Sequence, residues 1–557
     1  MNKHKRLILI FILFVAFFLR FYRLGSYPAL NADEAAIAYN AYSLIQTGND
    51  EHGNSWPIHF QSFNDYKPGL YFYLVLPFVK FFGLNVWSVR IPGASLGVAT
   101  VFILYLLIKE LNFGNSFEIR NLKLEIGEIA AFFLAISPWH IHFSRGGWEV
   151  NVATFFILLG LYLLLKGFKN LPLLMLSLLS FGLAFYTYHA ARIVVPLLEL
   201  GLLVIYWNEV RDNLINFALA VLIGLVVISP LIKDFMKPNV LSRAAGVGLF
   251  ADPGPLNRIN EQRGEHGDYT SFTAKIFHNK ATNYSLAFLE NWGQHYWGEF
   301  LFLSGDSIQR DKVPETGEMY LIDLVFIVVG LISIFSLWNE NKNHDRGWKV
   351  IIWWLLIAPT ASALTFQSPH ALRAENMVIP LIIISAYGAT KVIEWGQRFH
   401  SRRMFFIYCS LLIVIVLWNF GLYQHNYWIH LSKQYPFSSQ YGVKELVDYV
   451  VQNQDKYQDI IITQRYDQPY ILFLFYMKYP PEKFQKEHIL TPRDQYGFST
   501  VTEFDKYHFQ TIDFEDVRIK YPDSLIIGTD TEIPKEANII QKVYGTNGHL
   551  YFDVVAN

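Results

Sequence analysis

Asp33 and Glu34 stand together in Asn31-Ala32-Asp33-Glu34-Ala35-Ala36, directly after the first hydrophobic segment of a chain of 557 residues. A carboxylate beside a cationic pocket can take the proton of an acceptor hydroxyl while a phosphate departs, so the question is whether cations are placed to complete such a site. Four stand out. Lys67 lies in Tyr66-Lys67-Pro68-Gly69, and single arginines occupy Ser144-Arg145-Gly146-Gly147-Trp148-Glu149, Tyr186-Thr187-Tyr188-His189-Ala190-Ala191-Arg192 and Pro369-His370-Ala371-Leu372-Arg373-Ala374-Glu375. Arginine is costly at the rim of a bilayer, and holding phosphate is one reason to keep it, because the guanidinium fork bonds in pairs and does not lose its charge. Each feature has a plainer reading. An interfacial arginine can snorkel to headgroups or cap a helix end, and Asn31 or Asp33 can cap the helix that starts there while Glu34 favours its positive end, worth about 1 kcal/mol. Three arginine turns together with Lys67 favour a shared phosphate site, with Glu149, Tyr188 and His370 beside the arginines as further substrate contacts.

Other candidates carry less. His295, Asp306 and Arg310, in Gln294-His295-Tyr296 and Ser304-Gly305-Asp306-Ser307-Ile308-Gln309-Arg310, read as a lid over the site or as a solvated loop. Gly264-Glu265-His266-Gly267-Asp268 matches no strong metal-ligand spacing, so no metal site is assigned. Asn283-Tyr284-Ser285 fits a glycosylation sequon, a triplet common by chance. No Walker loop, dinucleotide fingerprint or serine-hydrolase elbow is present, which turns attention away from soluble nucleotide donors. Tyr39, Tyr66, Tyr71, Trp148, Tyr186 and Tyr188 are placed to stack on sugar faces or to anchor the chain at the interface.

The elements that must position these residues are mostly hydrophobic. Hydrophobic residues make up 52% of the chain and aromatics 17%, the formal net charge is -1, and the charges gather between long apolar runs. That distribution marks a polytopic membrane protein, and near neutrality argues against nucleic acid as a partner. The single cysteine, Cys409, lies within an apolar run, so intramolecular disulfides and cysteine metal clusters are excluded. Spans are predicted at 7–24, 91–108, 127–143, 150–166, 171–188, 192–207, 214–232, 319–338, 348–366, 374–395 and 404–424, eleven helices in all. The first reads as a retained signal anchor, since no small-residue cleavage site follows it. The run from Leu70 to Phe82 is too short for the roughly 20 residues of a span and is expected to lie in the outer interface. Left uncounted, it places Lys3, Lys5, Arg6, Lys109, Arg120, Lys123, Lys166, Lys169, Arg211, Lys342, Arg346, Lys349, Arg398, Arg402 and Arg403 on one side, which the positive-inside rule makes cytoplasmic. The expected organisation is a membrane domain over 1–429, with a first outer loop at 25–90 and a long outer loop at 233–318. A small extracytoplasmic α/β domain follows over 430–557, from Val443–Val451 as helix and 460–462, 525–527 and 550–555 as strands.

In this order of features the chain resembles the protein O-mannosyltransferase and lipid A aminoarabinose transferase superfamily, membrane glycosyltransferases of the C-type fold that use polyprenyl-phosphate sugars. The resemblance covers about residues 7–425. It rests on the basic N-terminus and first helix, Asp33-Glu34, Tyr66-Lys67-Pro68-Gly69, Val89-Arg90-Ile91-Pro92, the Arg145 turn with Glu149, the Tyr188 and Arg192 turn, and the Arg373 turn leading into Ile379-Pro380. It implies that Asp33 is the catalytic base, that Glu34 binds or orients substrate beside it, and that Lys67 and Arg373 hold the lipid phosphate. Gly69 departs from the second proline common in the aminoarabinose transferases, and the long loop has no counterpart of the eukaryotic lumenal trefoil domain.

The expected reaction is therefore an inverting displacement at the outer face of the plasma membrane, moving a hexosyl or pentosyl group from a polyprenyl-phosphate donor to a hydroxyl of protein, lipid or glycan. Cations take the place of a metal in this scheme, which requires no cofactor yet leaves room for a divalent ion. The main rival is a transporter or flippase for a lipid-linked or anionic substrate. Transporters usually keep charges at mid-membrane and show paired repeats, whereas these charges sit at the outer rim and no repeat is evident. A non-catalytic scaffold presenting the tail domain would leave the acidic pair and the outer arginines unexplained.

Overall fold

The computed structural model describes residues 3–63, 65–111, 113, 116–119, 122–236, 246–339, 345–398, 401–435, 438, 440–466, 468–493 and 499–557. The chain divides into two compact units. The first is formed by Met1–Tyr22, Gly93–Met236 and Arg243–Asn426, and the second by Arg23–Pro92 and Tyr427–Asn557.

Each predicted span overlaps a helix, though 348–366 is helical only to Ile357 and again over Thr360–Ala363. The helices are Lys3–Phe21, Val86–Leu111, Ile126–Ile136 with Pro138–Ser144, Glu149–Gly167, Leu171–Phe185, Ala191–Ile205, Leu214–Phe235, Leu321–Asn339, Asp345–Ile357, Val378–Gly396 and Arg402–His425. Among the described residues, five helices are long and apolar enough to cross a bilayer, or six if the pair Ile126–Ile136 and Pro138–Ser144, bent by 57°, counts as one span. The predicted count of eleven spans is thus not reached by length and composition among the described residues. Several are shorter, and the first carries Lys3, Lys5, Arg6 and Arg20. Leu214–Phe235 and Arg402–His425 leave Ile215, Val226, Ile413, Leu417 and Trp418 exposed, apolar surface on each helix that suits lipid rather than water. Leu321–Asn339 and Val378–Gly396 approach so closely that a Cβ on Gly388 would lie 1.7 Å from the Phe326 carbonyl oxygen.

Contacts in the first unit segregate by loop. Lys5 pairs with Glu125 and Arg346 with Glu209, and Phe113 stacks on Trp348 at 4.0 Å. A short hairpin of Ser116–Ile119 and Leu122–Glu125 ends at Glu125. Trp139 Nε1 donates to the Ala371 carbonyl at 3.1 Å, and His142 Nε2 lies 3.0 Å from the Arg310 carbonyl oxygen. Loops of one predicted side meet one another, and so do turns of the other.

The second unit joins the first loop to the tail. Strands across the chain are β1 (His59–Ser62), β2 (Asp65–Pro68), β3 (Ser116–Ile119), β4 (Leu122–Glu125), β5 (Asp459–Thr463), β6 (Ile489–Leu490), β7 (Val501–Phe504), β8 (Tyr507–Gln510), β9 (Ser524–Gly528), β10 (Ile539–Tyr544) and β11 (Leu550–Ala556). The β1–β2 and β3–β4 pairs are hairpins, and the tail forms one sheet in the order β10-β11-β9-β5-β8-β7-β6. Central β5 runs parallel to β8 and β9, with Ile460 opposite Tyr507 and Leu525, while the other pairs are antiparallel. Ile461, Ile526 and Val555 point to one face and pack with Phe514 and Val517. The predicted helix and strands fall in Val443–Asn453, β5, β9 and β11. Helix Ala32–Thr47 is bolted to the tail: Tyr39 OH donates to the Tyr479 carbonyl at 2.9 Å, and Gln485 Nε2 donates to Ser43 Oγ at 3.1 Å and the Asp50 carbonyl at 2.8 Å. Residues 25–90, read above with the membrane domain, thus cluster with the tail.

Candidate functional site

Asn31 starts the helix Ala32–Thr47. Its extended backbone, φ -94 and ψ 167, lets its side chain accept the Glu34 N–H at 3.0 Å, while Glu34 Oε2 accepts the Asn31 N–H at 3.3 Å, a reciprocal capping box. Asp33 and Glu34 follow, and successive helical side chains diverge by about 100°. They therefore meet different partners. Glu34 turns inward, where Arg90 Nε donates to Oε1 at 2.6 Å and Nη2 to Oε2 at 2.7 Å, with both side chains essentially inaccessible. The same guanidinium reaches the carbonyls of Leu24, Pro28 and Ala29 at 2.9 to 3.0 Å, so it ties the loop before the helix to the helix itself. Both oxygens of Glu34 are thus engaged by Arg90.

Asp33 remains 18% exposed in its side chain and pairs with the Lys67 ammonium. Lys67 comes from β2, opposite Phe60 on β1, and its Nζ lies 4.9 Å from the centre of the Phe63 ring. The hairpin hands over to helix Leu70–Phe82 at Gly69, where a Cβ would lie 2.7 Å from the Ile58 carbonyl oxygen. The glycine that departs from the family pattern is thus required by this chain's own packing. Behind the acidic helix sit two groups that the sequence reading did not single out. Burial drives the Glu51 carboxyl well above its ordinary range, and burial together with His488, whose Nε2 is 3.0 Å from His52 Nδ1, lowers His52 to about 3.

The remaining candidates lie in the first unit. Arg145 is buried and donates to the carbonyls of Leu19 at 2.7 Å and Tyr22 at 2.8 Å, capping the end of the first helix. Arg192 Nε donates to the Phe185 carbonyl at 3.1 Å, the last residue of helix Leu171–Phe185, and Nη1 lies 2.8 Å from His189 Nδ1. Both show the helix-end bonding that was the plainer alternative. Arg373 is half-buried and donates to Thr365 Oγ1 at 2.6 Å and Gln367 Oε1 at 3.3 Å. Glu149 and Tyr188 are buried, the former in the first turn of helix Glu149–Gly167.

Of the three residues read as a lid, two are built into packed structure. His295 and Asp306 are fully buried, His295 Nε2 accepts the His370 N–H at 3.3 Å, and Asp306 Oδ2 accepts the Ala371 N–H at 2.5 Å. Arg310 is partly exposed, and its Nε lies 3.9 Å from Asp311 Oδ1. His370 Nδ1 is 3.1 Å from Asp306 Oδ2 and 3.7 Å from Asp311 Oδ2. Burial lowers His370 to about 4 despite Asp306. Burial pushes Asp306 up, but His370 and the N–H groups of Ile308 and Ala371 outweigh it and hold the carboxyl below its usual value. Burial raises Glu318 well above its range, helped by Asp306.

The structure thus assembles two clusters, Asp33 with Lys67 over Glu34–Arg90, and Asp306 with Asp311, His370 and His295. Arg90 and Asp311 were absent from the sequence-based candidates. Arg90 carried a signal, being a cation in the opening turns of the otherwise apolar helix Val86–Leu111.

This fold is that of the C-type membrane glycosyltransferases. Among solved structures the chain is similar to ArnT from Cupriavidus metallidurans bound to undecaprenyl phosphate, with a TM-score of 0.54 at 10% identity over 100% of this chain and 98% of that one. It is also similar to the oligosaccharyltransferase of Archaeoglobus fulgidus in the apo form, with a TM-score of 0.51 at 12% identity over 95% of this chain and 70% of that one. In sequence it matches YkcB and YycA of Bacillus subtilis, both provisionally described as mannosyltransferases, at 31% identity over 158 residues and 33% over 121 residues. These matches take in 28% and 21% of this chain and span only 21% and 16% of the two relatives. No protein-family profile matches the chain.

Proposed function

We propose that the protein is an inverting glycosyltransferase that moves a sugar from a polyprenyl-phosphate donor to a hydroxyl acceptor at the outer face of the plasma membrane. The observation that carries this is the Asp33–Lys67 pair, a partly accessible carboxylate set beside an ammonium on a frame made rigid by Glu34 and Arg90. In the reaction, Asp33 takes the proton of the acceptor O–H, the freed oxygen bonds to the anomeric carbon, and the carbon–oxygen bond to phosphate breaks with its electron pair on the lipid phosphate. Lys67, the cation paired with Asp33, is assigned to that phosphate. The scheme needs no metal.

Two further observations support the reading. An apolar groove of about 460 Å³ in the first unit, lined by Ile12, Phe132, Phe326, Ala389, Leu412 and Val416, offers room for part of a prenyl chain. The meeting of Lys5 with Glu125 and of Arg346 with Glu209 supports a single cytoplasmic end of the first unit. The descriptions of YkcB and YycA favour mannose as the first sugar to try.

The test uses the full-length protein in detergent, a radiolabelled polyprenyl-phosphate mannose, and protein, lipid and glycan acceptors. Sugar transfer is expected, and Asp33→Asn should lower it by about 100-fold or more while donor binding holds. Turnover of that variant near the wild-type rate would remove Asp33 from the role of base.

A further inference from the structure

We infer that the first unit holds a divalent-cation site made by Asp306, Asp311 and His370. Three short local structures aim these side chains. Gly305 takes a left-handed backbone, φ +70, that turns the chain into Asp306, whose N–H is held by Glu318 Oε1 at 3.1 Å. Asp306 Oδ1 accepts the Ile308 N–H at 2.8 Å, which folds the chain into the 3₁₀ turn Gln309–Asp311 and brings the second carboxylate back toward the first. His370 precedes helix Ala371–Ala374 in extended backbone, φ -141 and ψ 110.

The donor atoms all lie within 4.8 Å of one another. Donors on bonds of about 2.0 to 2.1 Å around a tetrahedral ion stand roughly 3.4 Å apart, and the imidazole nitrogen sits at 3.1 and 3.7 Å from the two carboxylates. The second observation is the imidazole itself. His370 is 5% exposed, and its buried Nδ1 has no hydrogen bond of good geometry, the Asp306 carboxylate oxygen standing 3.1 Å away. A nitrogen lone pair and carboxylate oxygens converging on one point, away from water, match what a cation requires. Asp306 and Asp311 are each no more than 1% exposed, so the two carboxylates that face His370 stand away from water, with Arg310 Nε 3.9 Å from Asp311 Oδ1. One nitrogen and two oxygen donors suit Zn²⁺ or Mn²⁺ and leave coordination positions for water or another oxygen ligand. Such an ion would clamp the 304–318 segment to the turn at His370.

The experiment loads full-length protein, purified without a histidine tag and stripped with EDTA, with Zn²⁺ alone and with Mn²⁺ alone. Metal analysis by mass spectrometry and the melting temperature are then read. One equivalent of ion per chain and a higher melting temperature are expected. Asp311→Asn and His370→Gln should each weaken binding by at least about ten-fold. Co²⁺ in the same site should give visible absorption bands that Asp311→Asn removes. Asp33→Asn should bind the ion as wild type does, which separates this site from the proposed transfer reaction. If wild-type protein takes up neither ion, or Asp311→Asn and His370→Gln bind like wild type, or the ion is lost with Asp33→Asn instead, the site is overturned. Should the ligand variants fail to fold, uptake and melting of the wild-type protein still decide the matter.

Discussion

At the residue scale, adjacency in sequence does not mean a shared role. Asp33 and Glu34 are neighbours, yet one faces Lys67 and the other is committed to Arg90. This difference makes a stability prediction. Glu34→Gln leaves the Arg90 guanidinium buried without its carboxylate, a loss of about 3 to 5 kcal/mol for a broken buried pair. Replacing both, as Glu34→Gln with Arg90→Met, should recover part of that loss, because no buried charge is then left unpaired. Thermal melts of the two single variants and the double variant form the cycle that checks it. Glu51 gives a test by pH. Its buried carboxyl binds a proton more tightly in the folded than in the unfolded chain, so it lowers stability as pH rises above its ordinary value of 4.5. The melting temperature of Glu51→Gln minus that of wild type should therefore grow from about pH 4.5 toward neutrality. A difference that stays flat with pH would place the Glu51 proton elsewhere.

At the scale of elements, helix Ala32–Thr47 and the lysine strand depend on a cap and a tight junction. Asn31→Ala removes the side-chain acceptor of the Glu34 N–H and should cost about 1 kcal/mol, read from the melting temperature. Gly69→Ala has a sharper reason to fail, since its Cβ would press on the Ile58 backbone carbonyl. An overpacking cost of about 1 to 3 kcal/mol is expected, with a fall in transfer as Lys67 shifts on its hairpin. The helices of the tail show why some elements were legible. Val443–Asn453 was readable because Val443, Leu446, Val447 and Val450 recur at helical spacing on one buried face. Pro469–Met477 was not, because the run Tyr470-Ile471-Leu472-Phe473-Leu474-Phe475 is apolar all round and buried on every side, so it has no period to read.

At the scale of the molecule, orientation can be tested through the lone Cys409. In a Cys409→Ser background, new cysteines in place of Lys169 or Arg398 should resist a membrane-impermeant thiol reagent added to intact cells, while one in place of Asn547 or Glu532 should react. Labelling of Lys169→Cys from outside would invert the orientation. The sequence by itself determined that this is a membrane protein of helices, that its tail is α/β, and that Asp33, Lys67 and a few arginines are the residues to examine. These follow from hydropathy, from side-chain period and from charges kept where charge is costly, all of which act locally along the chain. Only the tertiary structure decided how those charges are used. It joined Glu34 to Arg90 across 56 positions of sequence, gave Arg145 and Arg192 to helix-end carbonyls, bound the first loop to the tail, and gathered Asp306 and Asp311 around His370. The physical reason is that a buried charge must find a partner of opposite sign or a row of dipoles, and which one it finds depends on packing between segments far apart in the chain.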